Sequence, residues 1–261
     1  MRKASNAQVE RFIEHLGHSR RLSAHTMAAY AGDLDTLLAM LGATPIEQAA
    51  PHQIRHAVAQ LHSRGEAPRT LARRLSAWRT FFAWLVRFHG MQANPAAGIR
   101  APKIARQLPK ALSPDTMTHL LDRAPSGTME IRDRAMFELL YSSGLRLSEL
   151  CSLSIDDASS VMRDGEVTVH GKGGKTRTVP VGRRAREAIG AWSNLRSGIA
   201  QPNERALFVG ARGARISPSV VQTRLKRWGV AAGVGAKVHP HVLRHSFATH
   251  VLQSSGDLRT V

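Results

Sequence analysis

The sequence predicts a mainly α protein of two lobes, the second carrying one small antiparallel β-sheet. Three observations lead there. Apolar residues recur at helical spacing from Val9 to Leu85. A basic, proline-rich connector follows, from Asn94-Pro95 through Pro102 to Pro109. Beyond it the helical period gives way once to a period of two, on either side of Gly171-Lys172-Gly173-Gly174-Lys175.

The elements follow in order. Val9, Phe12, Ile13 and Leu16 mark a first helix ending near Gly17. Ser23 is placed to cap a second, which runs through Tyr30, Leu34, Leu37, Leu38 and Leu41 and stops at Gly42. Pro51 opens a third, with Ile54, Val58 and Leu61 on one face and Gly65 at its end. A fourth runs from about Pro68 to His89. Leu71, Leu75, Trp78, Phe82 and Leu85 lie on one side of it and Arg69, Arg73, Arg74, Arg79 and Arg87 on the other. In the second lobe Ser113-Pro114-Asp115 starts a helix over 114–123. Further helices are expected over 130–142, 147–153, 184–196, 217–232 and 241–254. Strands are expected over 166–170 and 176–181, joined by the glycine-rich turn as a hairpin. The chain thus divides into an N-terminal helical domain (1–92), a basic linker (93–112) and a second domain (113–261).

Charge narrows the function. Lys and Arg number 37 against 19 Asp and Glu, a net charge of +18. Residues 1–100 carry 13 cations against 6 acids and the remainder 24 against 13, so both lobes are basic. A polyanion touching both is the simplest partner, and nucleic acid leads. The single cysteine, Cys151, excludes an internal disulfide and fits a reducing compartment. Set among Leu150 and Leu153, it reads as core filler. Met1-Arg2-Lys3 precedes polar residues, so no secretory signal is expected. No apolar run is long enough to span a bilayer, and a cytoplasmic protein is expected.

The arginine face of the fourth helix has two readings. It is a solvated face, or it faces phosphates. No acid lies between Arg69 and Arg87, so salt bridges along the helix are unavailable, which favours the second. The connector adds Arg100, Lys103, Arg106 and Lys110 without an acid, a composition suited to tracking a phosphate backbone.

Three short stretches hold the candidate chemistry. In Gly144-Leu145-Arg146-Leu147-Ser148-Glu149-Leu150, Arg146 sits at a helix start, where backbone N–H groups favour an anion. Alone it also reads as a surface arginine paired with Glu149. Lys172 and Lys175 lie in the glycine-rich turn, where the backbone can come close to a ligand, with Arg177 just beyond. In isolation that stretch reads equally as a solvated turn; it lacks the spacing of a nucleotide-binding loop. His241 and Arg244 are spaced i,i+3 on one helix face, after His239-Pro240. His245 and His250 read as structural. No His-Glu-x-x-His spacing or cysteine pair points to a metal site.

The order and company of these stretches carry a resemblance. The sequence resembles the tyrosine recombinase (phage-integrase-like) family over nearly its whole length. The resemblance rests on Leu71 through Leu85, Asn94-Pro95-Ala96, Ala101-Pro102-Lys103, Ile131-Arg132-Asp133-Arg134-Ala135-Met136, the three stretches above and the run from His239 to His250. Within the family it looks like the bacterial branch that resolves chromosome dimers. Leu252-Gln253-Ser254-Ser255-Gly256-Asp257-Leu258-Arg259 favours one of that branch's two partner types.

The resemblance implies a clamp around duplex DNA, with an N-terminal core-binding (SAM-like) domain and a catalytic domain. It implies that Arg146 and Arg244 bind the non-bridging oxygens of the scissile phosphate. Lys172 matches the lysine that protonates the leaving 5′-oxygen, with Lys175 as a nearby competitor, and His241 the histidine that assists proton transfer. DNA contacts are expected from Arg69, Arg73, Arg74, Arg79, Lys103, Lys175 and Arg177. It implies neither metal nor ATP, because a 3′-phosphotyrosyl bond keeps the phosphodiester energy, and assembly as a heterotetramer with a partner recombinase. The family's second histidine and its tyrosine nucleophile are expected beyond the matched segment. Tyr30 and Tyr141 match neither, so the sequence reads as truncated and unable to cleave. The competing readings are a mobile-element integrase and an inactive, architectural DNA-binding protein.

Overall fold

The computed structural model describes residues 7–20, 24–102, 111–171, 175–235 and 237–255. The chain divides into two compact units, Met1–Gln107 and Leu108–Val261. Each has its own apolar core.

The first unit is helical. Helices α1 (Ala7–Arg20), α2 (Ala24–Leu41), α3 (Pro51–Ser63) and α4 (Pro68–Phe88) enclose Phe12, Leu16, Leu34, Leu37, Ile54, Leu71, Trp78, Phe81 and Phe82, all almost without solvent exposure. Phe12 meets Phe81 edge to face at 5.2 Å, and the indole N–H of Trp78 donates to the Asp33 carbonyl at 2.8 Å. The expected stop at Gly17 is corrected: α1 runs through it. A Cβ there would lie 3.3 Å from Met27 Sδ, so this glycine serves close packing of α1 on α2. Gly42, by contrast, ends α2 at φ +61° as expected. Ser23 lies outside the described residues.

The first part of the expected linker packs as part of this unit. Ala96 and Ile99 are buried. Asn94 donates to the Arg79 carbonyl (3.0 Å) and accepts from the Ala96 N–H (2.9 Å). Arg79 in turn donates to the carbonyls of Ala96 (3.2 Å) and Ile99. An asparagine turn and one arginine thus tie residues 94–99 to α4, where the proline content had suggested a connector between the lobes.

The second unit is built on α6 (Thr128–Ser143), which packs against α9 (Arg183–Arg196) and α11 (Pro240–Ser255). Around them lie α5 (Pro114–Asp122), α7 (Leu147–Ser152), α8 (Ile155–Asp164) and α10 (Pro218–Ala231). Strands β1 (Glu166–His170) and β2 (Thr176–Pro180) pair antiparallel, Val169 opposite Arg177. The Ser113 side chain accepts from Thr116 N–H and caps α5 as expected. Helix α8 was not foreseen, yet its cap was legible: Ser154 and Asp157 exchange side-chain and backbone hydrogen bonds, and Gly165 ends it at φ +74°. Trp192 and Trp228 are buried, their N–H groups donating to Leu207 and Leu120 carbonyls at 2.8 and 2.7 Å. Cys151 is buried, and that burial pushes its thiol up to about 11, consistent with core filler.

Candidate active site

Helix α6 ends at Gly144, in the left-handed region at φ +55°. A Cβ there would lie 2.5 and 2.7 Å from two ring carbons of Phe247 on α11, so only glycine fits. The turn therefore lies directly on α11, and Arg244 of α11 donates to the Gly144 carbonyl. Two residues on, Arg146 occupies the extended N-cap position of α7. One glycine contact thus joins the two expected phosphate-binding arginines.

Glu149 organises the near side. Its carboxylate is 2% exposed and takes four charged or capping hydrogen bonds. The Arg146 backbone N–H donates at 2.7 Å and its Nη1 at 2.9 Å. Nη1 and Nη2 of Arg177, on β2, donate to the two oxygens at 2.7 and 2.8 Å. Burial pushes this carboxyl up, but the arginine bonds overcome it and hold it at about 2. Arg177 is correspondingly raised, first by its bond to Glu149. Arg244 is lowered, first by burial and then by the charges of Arg146 and Arg177. Two guanidinium groups thus bond one carboxylate and a third, Arg244, feels their charge, an excess of positive charge that an anion relieves.

His241 is exposed in the first turn of α11, one turn before Arg244. Its ring lies 6.1 Å from that of His239, which is lowered by burial and by His241. His250 is structural, as expected. Its Nε2 faces the Leu112 carbonyl at 2.9 Å, which can only accept, so Nε2 carries the proton and Nδ1 accepts from the Tyr141 hydroxyl at 2.9 Å. Tyr141 is raised by burial and by Glu138, which disfavours its phenolate. His245 departs from expectation: it is exposed, because Val242, Leu243 and Ser246 take the buried face of α11.

Lys172 and Lys103 lie outside the described residues. Lys175 is exposed just before the second strand, and its carbonyl accepts from Gly171 N–H at 2.7 Å. Arg69 is exposed. The premise of an acid-free arginine face on α4 needs correcting, because the acids come from elsewhere. Arg73 pairs with Asp33 of α2. Arg74 reaches Asp33 (3.3 Å) and Glu66 (2.8 Å), and Arg79 holds the 94–99 turn. The bond between Arg177 and Glu149, residues 28 apart, was also missed; no local pattern signals it. Among the described residues no group of three His, Cys, Asp or Glu is arranged to hold a metal ion.

Comparison with known proteins gives the family. Residues 110–261 match the phage integrase family and residues 9–89 its N-terminal SAM-like domain. The chain belongs to the phage integrase family, whose members are the tyrosine recombinases. Within it the likeness is to XerC. The chain is 49% identical to tyrosine recombinase XerC 1 of Ralstonia nicotianae, across 97% of this chain and 83% of the relative. It is 48% identical to tyrosine recombinase XerC of Chromobacterium violaceum, with the same coverage. In fold it is similar to a lambda integrase dimer bound to a COC′ core site, with TM-score 0.73 and 18% identity over 95% of this chain and 90% of the other. Among the described residues no helix is long and apolar enough to cross a membrane.

Proposed function

We propose that this protein is a XerC-type site-specific recombinase that cuts and rejoins duplex DNA through a 3′-phosphotyrosyl intermediate. In this reading it works in the cytoplasm with a XerD-like partner, as a heterotetramer that resolves chromosome or plasmid dimers at cell division. The observation that carries it is the cluster of Arg146, Arg177 and Arg244: the first two bond the Glu149 carboxylate, and Arg244 bonds the Gly144 carbonyl two residues before Arg146. Such a cluster suits one phosphodiester. Arg146 and Arg244 neutralise its non-bridging oxygens and the charge that builds in the pentavalent transition state. Family likeness gives Lys172 the leaving-oxygen proton and His241 the supporting proton transfer. Both units are basic, and their contacts with the duplex release counterions. Arg69, Lys103 and Lys175 are assigned to the DNA backbone. Arg73, Arg74, Arg79 and Arg177, with partners inside the protein, are assigned to its architecture.

The 261 residues include two tyrosines. Tyr30 packs against the core of the first unit, and the Tyr141 hydroxyl is held by His250. In this reading neither is the nucleophile, and the 261 residues alone are expected to bind the site without cutting it. A nicked suicide duplex separates binding from chemistry. The expected result is a complex that weakens steeply with salt and no covalent adduct on a denaturing gel. An adduct would overturn the assignment of both tyrosines, and salt-insensitive or absent binding would overturn the recombinase reading.

A further inference from the structure

We propose that Arg177 is a positioning residue: through the shared carboxylate of Glu149 it holds the Arg146 guanidinium where it grips the phosphate. The inference rests on the functional reading above and adds a member to its site. Arg146 is a long side chain, 54% exposed, with one side-chain hydrogen bond among the described residues, to Glu149 Oε1. Its orientation is therefore only as fixed as that carboxylate. Glu149 lies in a helix of six residues, where the Arg146 backbone N–H holds its Oε2 at 2.7 Å. A second brace comes from the sheet. Arg177 sits on β2 opposite Val169 of β1 and binds both Glu149 oxygens, one with each terminal nitrogen. It competes with Arg146 for Oε1, 2.7 against 2.9 Å, and alone occupies Oε2 from a side chain. Among the described residues Arg146 is left with one bond that aims it, and its other N–H groups can meet an anion. Both terminal nitrogens of Arg177 point into the protein, so it acts through Glu149. Lysine cannot substitute, because a single ammonium does not make the planar two-point contact.

The test is a binding cycle on the 261-residue chain. The probe is a short duplex selected by the unsubstituted chain from a random pool, and affinity is read well below the unfolding temperature of each variant. R177Q is expected to weaken binding about tenfold, the worth of one charged phosphate contact. In an R146Q background the same change is expected to alter affinity less than about twofold, since the group it positions is gone. R177K is expected to behave like R177Q, and it decides the matter if R177Q does not fold. Equal losses in both backgrounds, R177Q at unsubstituted affinity, or R177K binding like the unsubstituted chain would each overturn the proposal. The second and third would leave the functional reading intact. An unsubstituted chain with no salt-dependent affinity would overturn both.

Discussion

Arg244 donates a hydrogen bond to the carbonyl oxygen of Gly144, and Gly144 receives the ring of Phe247 where a side chain would stand. Both contacts fasten the turn before Arg146 to α11, which also carries His241. The site is therefore made by one helix–turn contact, and damage to that contact is expected to reach both stability and DNA affinity.

G144A places a methyl group within 2.5 Å of the Phe247 ring and forces alanine to φ +55°. It is expected to destabilise the second unit by about 3 kcal/mol in denaturant unfolding. G144A/F247A is expected to recover the steric part relative to F247A alone and to retain the backbone part.

Glu149 sets an acid limit on stability. Its folded value, about 2, lies below the ordinary 4.5, so the folded state binds fewer protons than the unfolded one. The resulting stability is present above the ordinary carboxylate range and is lost as pH falls from about 5 toward 2, amounting to about 3 kcal/mol. E149Q is expected to flatten that limb of the pH–stability curve and to be less stable at pH 7.

The Tyr141–His250–Leu112 chain is structural and shares no residue with the proposed DNA site. Y141F leaves His250 Nδ1 without its donor and is expected to cost about 1 kcal/mol with duplex affinity unchanged. H241A gives the opposite pattern, with affinity lowered and stability kept, because that imidazole is exposed.

On α4, neighbouring arginines divide the same way. R74A removes the partner of Glu66 and one partner of buried Asp33, and is expected to destabilise the first unit by about 2 kcal/mol. R69A is expected to leave unfolding within about 0.5 kcal/mol and to weaken duplex binding uniformly across sequences.

What was legible in the sequence was local. Apolar spacing gave α2, α3 and α4, alternation gave β1 and β2, and His241 with Arg244 shared a helix by their spacing alone. What was not legible came from partners distant in the chain. The acids that occupy Arg73 and Arg74 stand on α2 and before α4, so the composition of α4 alone suggested a free cationic face. Glu149 was visible as a neighbour of Arg146 but not as the meeting point of α7 and β2. Gly17 resembled a helix stop because the Met27 side chain it accommodates belongs to another helix.

The central claim is that Arg146 and Arg244 grip the same phosphate. Duplexes carrying one neutral methylphosphonate at a time, titrated against the unsubstituted chain, R146Q and R244Q, test it most directly. One position is expected at which neutralisation abolishes the penalty of both substitutions together. Penalties erased at two different positions, or at none, would contradict the account.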